Sequence, residues 1–247
     1  LTKMRFADCS SSGTNAGILA GSLTNCTVTD CGAYLNTKNK DNARYEDMDT
    51  RRKTYSVKGT SSAGGLAAQI SGGSLNYCFA AVDVSGDRNL GGLAGIFNGA
   101  TIENSYASGN LSSSGQNMGG LIGRMSGGSV SNCYATGKVY CTGSVAGGLI
   151  GAGSGDGSVR VRDSISYGIV AKSEEDTVAN YSGGFIGQNN GISFSGCKFL
   201  KQANYNSSYT TSSNVEGWGY NGLRVCSGVD NKSNRDPYSS VLRGQAF

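Results

Sequence analysis

The sequence predicts an all-β protein: a parallel β-solenoid (β-helix) of about six coils of 27–28 residues, closed by a C-terminal cap. Three observations carry the prediction. A Gly-Gly-apolar phrase recurs along the chain, short apolar stretches alternate with turn formers, and glycine supplies 40 of 247 residues while proline appears once. Glycine at roughly twice its usual share, without a collagen period, marks a fold that turns often and tightly.

The phrase reads Gly64-Gly65-Leu66, Gly91-Gly92-Leu93, Gly119-Gly120-Leu121, Gly147-Gly148-Leu149 and Gly183-Gly184-Phe185, with a degenerate first copy at Ala16-Gly17-Ile18. The five full copies start 27, 28, 28 and 36 residues apart. A fixed period in this range signals stacked supersecondary units. Each clear copy holds three apolar stretches, too short for ordinary helices and rich in β-branched and aromatic residues, so they read as short strands. Three strands and three corners close one coil, and successive coils stack at about 4.8 Å with hydrogen bonds between them. Val130, Cys133, Ala135 and Val139 then face inward if Asn132 turns the corner. Asn25, Asn76, Asn104 and Asn132, with Asp163, are expected at equivalent corners, because Asn tolerates the left-handed conformation.

Composition narrows the function. A formal charge of +4 is too mild to argue for nucleic acid or an anionic membrane, and no run of about 18 apolar residues crosses a bilayer. Charge is only 15%, with apolar residues at regular places, which argues against disorder. The chain lacks an initial Met and a visible signal peptide, and Ala7-Asp8-Cys9 looks like the tail half of a repeat. The expectation is a mature product or an excised part of a longer protein. Eight cysteines and no histidine leave disulfides or buried thiols as the reading, since zinc would need four converging thiolates. Cys9 with Cys26, Cys26 with Cys31, Cys133 with Cys141, and Cys197 with Cys226 are the open pairings, whereas Cys78 and Cys133 are separated by Ser105. Five Asn-x-Ser/Thr sequons match chance for this composition.

Leu93-Ala94-Gly95, Leu121-Ile122-Gly123 and Leu149-Ile150-Gly151, followed by phrases such as Ser131-Asn132-Cys133-Tyr134-Ala135-Thr136-Gly137, resemble the GLUG motif, a bacterial repeat with a Gly-Leu-any-Gly core. The resemblance covers about residues 16 to 200. It departs at the first copy, which lacks the leading Gly pair, and at the second, which has Ala68 where the closing Gly stands. Such repeats look like parts of secreted or surface-attached proteins, including some immunoglobulin A peptidases and adhesin-like proteins. The resemblance implies an extracellular or cell-surface location. In those peptidases catalysis resembles zinc chemistry on a His-Glu-x-x-His motif in a separate domain, and nothing in this histidine-free chain matches it.

Two units follow: residues 1–200 as a GLUG-like solenoid with a charged insert at 36–58, and residues 201–247 as a capping segment built on Trp218 and Tyr220. The insert alternates charge, which reads as a solvated loop or helix or as a loop carrying function. A second insert lies near Glu174, Glu175 and Asp176. Phe79, Tyr106, Tyr134 and Ile165 share one repeat position between inward residues, so they form an outward stripe. It is either a self-stacking ladder or a docking strip for a protein or glycan. Gly153-Ser154-Gly155-Asp156-Gly157 resembles a calcium turn but offers one carboxylate, so no metal or cofactor is expected. With no histidine base, no nucleophile elbow and scattered acids at Asp83, Asp87, Glu103, Asp156 and Asp163, the expected function is non-enzymatic: a structural or adhesive extracellular module with a protein partner or self-assembly. The alternative is a β-helical carbohydrate-active enzyme or glycan-binding module, which needs two carboxyls about 5–10 Å apart across a groove.

Overall fold

The structure, a computed structural model, describes residues 1–35, 55–171, 181–200 and 215–218. The inserts around 36–54 and 172–180, and the capping segment apart from the strand Val215–Trp218, lie outside the described residues. Among the described residues every regular element is a β-strand, and every strand pairing is parallel. The pairing is consistent with a β-solenoid, because each strand pairs with its counterpart one repeat away.

The repeat beginning at Arg88 shows why. Arg88–Gly91 is followed by Ala94–Asn98, Thr101–Glu103, Tyr106–Ala107 and Leu111–Ser113 before Gln116–Gly119 begins the next repeat. Ala94–Asn98 and Thr101–Glu103 belong to one sheet, A; Tyr106–Ala107 to a second, B; Leu111–Ser113 and Arg88–Gly91 to a third, C. Three faces were expected, with one strand each. The repeat instead has five strands, because sheets A and C bend. Gly99, at φ 63°, turns the chain between the two strands of sheet A. In the earlier repeat the corresponding strands run on as one, Ala67–Asn76 in sheet A and Ser56–Gly64 in sheet C.

The bends create two cores. One gathers Leu93, Phe97, Ile102, Ala107 and their equivalents; the other gathers Val84, Leu90, Leu111, Met118 and Val139. The Gly-Gly-Leu phrase is the crossing between them. Its first glycines pair in order, Gly64 with Gly91, Gly119, Gly147 and Gly183 in turn. A Cβ on the second glycine has no room: on Gly92 it would lie 2.1 Å from the Gly120 carbonyl oxygen and 2.6 Å from the Ala107 Cβ. The leucines stack through the backbone, Leu93 N donating to Leu121 O at 2.9 Å and Leu121 N to Leu149 O at 2.8 Å. All three are fully buried. Val130, Cys133, Ala135 and Val139 are buried as expected.

The corner column needs a correction. Glu103 pairs with Asn76, so the left-handed corner falls one residue later, on Tyr77 (φ 55°). The column runs Asp30, Tyr77, Asn104, Asn132 and Asp163, all with φ between 48° and 55°. Asn25 is also left-handed, at φ 51°, but it turns a different corner, opposite Gly72. Asn76 still takes part: Asn104 Nδ2 donates to its Oδ1 at 2.9 Å.

Candidate functional site: an aromatic ladder

The corner sets the site. Each left-handed residue is followed by a small inward side chain, Cys or Ser, and then by the stripe residue on the outer face of sheet B. The inward column runs Cys31, Cys78, Ser105, Cys133, Ser164, Cys197, all buried. Every member donates to the carbonyl two residues back: Cys78 Sγ to Asn76 O at 3.4 Å, Ser105 Oγ to Glu103 O at 2.7 Å, Cys133 Sγ to Ser131 O at 3.1 Å, Ser164 Oγ to Arg162 O at 2.7 Å. The hydroxyls also accept from the preceding rung, Cys78 N reaching Ser105 Oγ at 3.0 Å and Cys133 N reaching Ser164 Oγ at 3.2 Å. Cys9 and Cys26 repeat the device after Asp8 and Asn25. These cysteines, Cys141 apart, therefore act as short donors that tie off a corner.

Among the described residues no disulfide joins the expected pairs, and of the two readings the buried thiol fits. The seven described cysteines are free thiols, and the Cys197–Cys226 pairing lies outside the described residues. Cys26 stands opposite Gly73, not Cys9. Burial pushes the Cys78 thiol up to about 11 and those of Cys133 and Cys197 up to about 12, and raises Cys141. Ser105 does separate Cys78 from Cys133, as expected.

The stripe residues come together as one ladder: Phe79 pairs with Tyr106, Tyr106 with Tyr134, and Tyr134 with Ile165. The Phe79 and Tyr106 rings stack at 5.3 Å and 9°, and Tyr106 and Tyr134 at 4.9 Å and 1°. Stacking consumes the ring faces. Phe79 and Tyr134 keep 8% of their surface exposed and Ile165 4%, while Tyr106 is half-buried. The contiguous open apolar strip that the sequence suggests is therefore not open: of the four residues, Tyr106 alone is not buried. At one end the Arg5 guanidinium lies over the Phe79 ring at 5.3 Å and forms an ion pair with Asp30. Phe79 also leans over Gly32, where a Cβ would meet its ring at 2.1 Å, and Tyr34 packs beside it at 6.3 Å. At the other end Ile165 is followed by Lys198. Burial raises the Tyr106 hydroxyl above the ordinary tyrosine value, partly offset by the Arg5 charge. Tyr77, at the neighbouring corner, is 41% exposed, and periodicity gave no sign of it because an Asn was expected there.

No group of three or more metal-ligating side chains is found among the described residues. The Asp156 carboxylate, in the turn resembling a calcium loop, accepts from Ser158 N at 3.0 Å and Ser158 Oγ at 2.5 Å, which holds it below the usual carboxylate range. Asp83 is used between adjacent repeats, accepting from Asn110 N at 2.7 Å. No described helix is long and apolar enough to cross a membrane.

A repeat protein built on glycine crossings and self-matching columns is what these features define. The GLUG motif matches twice, over residues 86–112 and 114–140, so this part of the chain carries two copies of it. Each copy runs from the strand before a Gly-Gly-Leu crossing, through the left-handed Asn and the ladder tyrosine, to the next bend. No curated protein and no solved structure gives a significant match.

Proposed function

We propose that the chain is a non-enzymatic structural module of an extracellular or cell-surface protein. In this reading it is a parallel β-solenoid of about six coils with a C-terminal cap, serving as a rigid scaffold that holds or contacts other subunits. The observation that carries the proposal is the repetition of side-chain columns rung after rung: glycine on glycine, alanine on alanine, ring on ring. Each column makes bending costly, since displacing one rung breaks hydrogen bonds and stacking on both sides. The two GLUG motifs support the extracellular placement, because the motif belongs to repeat modules of secreted bacterial proteins.

The ladder is the contact strip of this scaffold. Its half-buried member Tyr106, midway along the ladder, is where a protein partner or a glycan would meet it. Replacing Tyr106 and Tyr134 together by Ser tests it. The expected outcome is a folded chain, about 1–3 kcal/mol less stable for the stacking lost, that no longer binds on a panel of immobilised glycans or to the wild-type chain. Unchanged binding by the folded variant would reduce the ladder to internal scaffolding and leave the contact role without support.

A further inference from the structure

The later strand of sheet A in each repeat turns two columns of side chains to the outer face. One runs Thr27, Ser74, Thr101, Ser129, Arg160, Ser193; the other, two residues along each strand, runs Thr29, Asn76, Glu103, Ser131, Arg162, Ser195. The residue between them is buried on every rung, from Val28 to Phe194. Small polar side chains fill most of this grid. Arg160 and Arg162 break both columns on one rung, and both are exposed. Alternate residues of a strand stand about 6.7 Å apart, so the two guanidinium groups repel along one face. Neither forms an ion pair among the described residues, where the pair found is Arg5 with Asp30. Glu103, the acid in these columns, lies two rungs from Arg162 and accepts from Ser131 Oγ at 3.3 Å. Asp156, in the turn before Arg160, is held by Ser158. Asp163 follows Arg162 but turns the corner, its carboxylate directed at Gly196 on the next rung. Arg124, one rung earlier on the outer face of the same sheet and across the Gly127-Gly128 bend, adds a third exposed cation.

We infer that this grid is a binding face for an acidic polysaccharide, with uronate carboxylates on Arg160 and Arg162 and sugar hydroxyls on the serines beside them. A guanidinium group presents a planar fork that matches a carboxylate bidentately. Ser129 and Ser131 stand on one side of the arginines and Ser193 and Ser195 on the other. Each is about 4.8 Å away across a rung. A hydroxyl both donates and accepts, as sugar hydroxyls do. The composition of the face selects this occupant over other anions. A protein partner needs an aromatic or apolar centre, and none of these positions is apolar. Anionic membranes and nucleic acids are held by larger basic clusters. The stack itself does not call for the arginines, because the rungs on either side pack with serine in the same places. The inference goes beyond the scaffold reading, which supplies only the extracellular setting in which such a polymer is met. Its surface is separate from the ladder.

Binding of the full chain to immobilised polygalacturonate tests it, with the fully methyl-esterified polymer as the uncharged control. The wild type is expected to bind the acid form, to ignore the ester, and to let go at about 1 M salt, where charges are screened within about 3 Å. Arg160→Gln/Arg162→Gln is expected to melt like the wild type and to bind at least about tenfold more weakly, as loss of charge-assisted hydrogen bonds implies. Ser193→Glu/Ser195→Glu sets carboxylates of the chain itself beside the guanidinium groups and is expected to lose binding to the same degree. The polymer is read apart from the glycans that test the ladder, since Tyr106→Ser/Tyr134→Ser is expected to keep it. A wild type that does not bind overturns the inference. So does equal binding to the ester, or an arginine or glutamate variant that binds like the wild type. Binding to polyglutamate in place of the polymer assigns the arginines to a protein partner and overturns it as well. Loss of the polymer in the tyrosine variant alone overturns it too, while leaving the ladder proposal standing.

Discussion

At the residue scale, the column of Cys and Ser behind the corners decides several outcomes. Ser105 and Ser164 occupy the same column as Cys133 and make the same bond to the carbonyl two residues back. Cys133→Ser is therefore expected to change stability by less than about 1 kcal/mol, whereas Cys133→Val, leaving the Ser131 carbonyl without its donor, costs about 1–3 kcal/mol by urea denaturation. The raised thiols also set an alkaline limit. In the folded chain Cys78, Cys133 and Cys197 hold their protons well above the ordinary thiol value of 9.0, while the unfolded chain releases them near it. The folded state thus binds more protons above that value, so stability falls as pH climbs from about 9 toward 12. Cys133→Ser/Cys197→Ser should flatten that slope in urea midpoints measured across the range. Ser166 is the opposite case. It stands in the alanine column with Ala107 and Ala135, and its buried hydroxyl has no hydrogen-bond partner. Ser166→Ala should stabilise the chain by about 1–2 kcal/mol, raising the melting temperature.

At the element scale, the crossing glycines separate space from conformation. Gly92 has no positive φ but meets the Gly120 carbonyl and Ala107 Cβ, neither of which can yield. Gly99 is left-handed with nothing within 4 Å of a Cβ. Gly92→Ala should cost about 3 kcal/mol or more and Gly99→Ala only about 1 kcal/mol, both read from urea midpoints. This contrast explains what was legible in the sequence. The Gly-Gly-Leu crossings stand out because no other residue fits the second glycine, so the period survives every other change. The ladder position of Phe79, Tyr106, Tyr134 and Ile165 followed from the same period. The bends within sheets A and C did not, because a turn such as Asn98-Gly99 sits inside what reads as one strand, and in Ala67–Asn76 the equivalent left-handed Gly72-Gly73 does not even interrupt the strand. The corner at Tyr77 was missed because the adjacent Asn76 satisfies the usual preference for a left-handed residue. The thiol's role escaped notice for a different reason: its signature is three residues long, and cysteine pairs invite a disulfide reading first.

At the scale of the whole molecule, the polar columns matter as much as the cores. Asn117 Nδ2 donates to Asn89 Oδ1 at 2.9 Å, and Ser62 Oγ to Asn15 Oδ1 at 2.8 Å, so one column continues as amide and hydroxyl along the stack. Nothing in such a column refers to a particular rung. A consequence concerns length. Residues 92–119 span one full period, from one second glycine to the next first glycine, and their removal joins Gly91 directly to Gly120. The ladder, the crossings and the corners would close up in register, giving a molecule shorter by about 4.8 Å. Recombination between repeats of one gene can therefore trim or extend this protein like a ruler, without inventing a new packing at the splice.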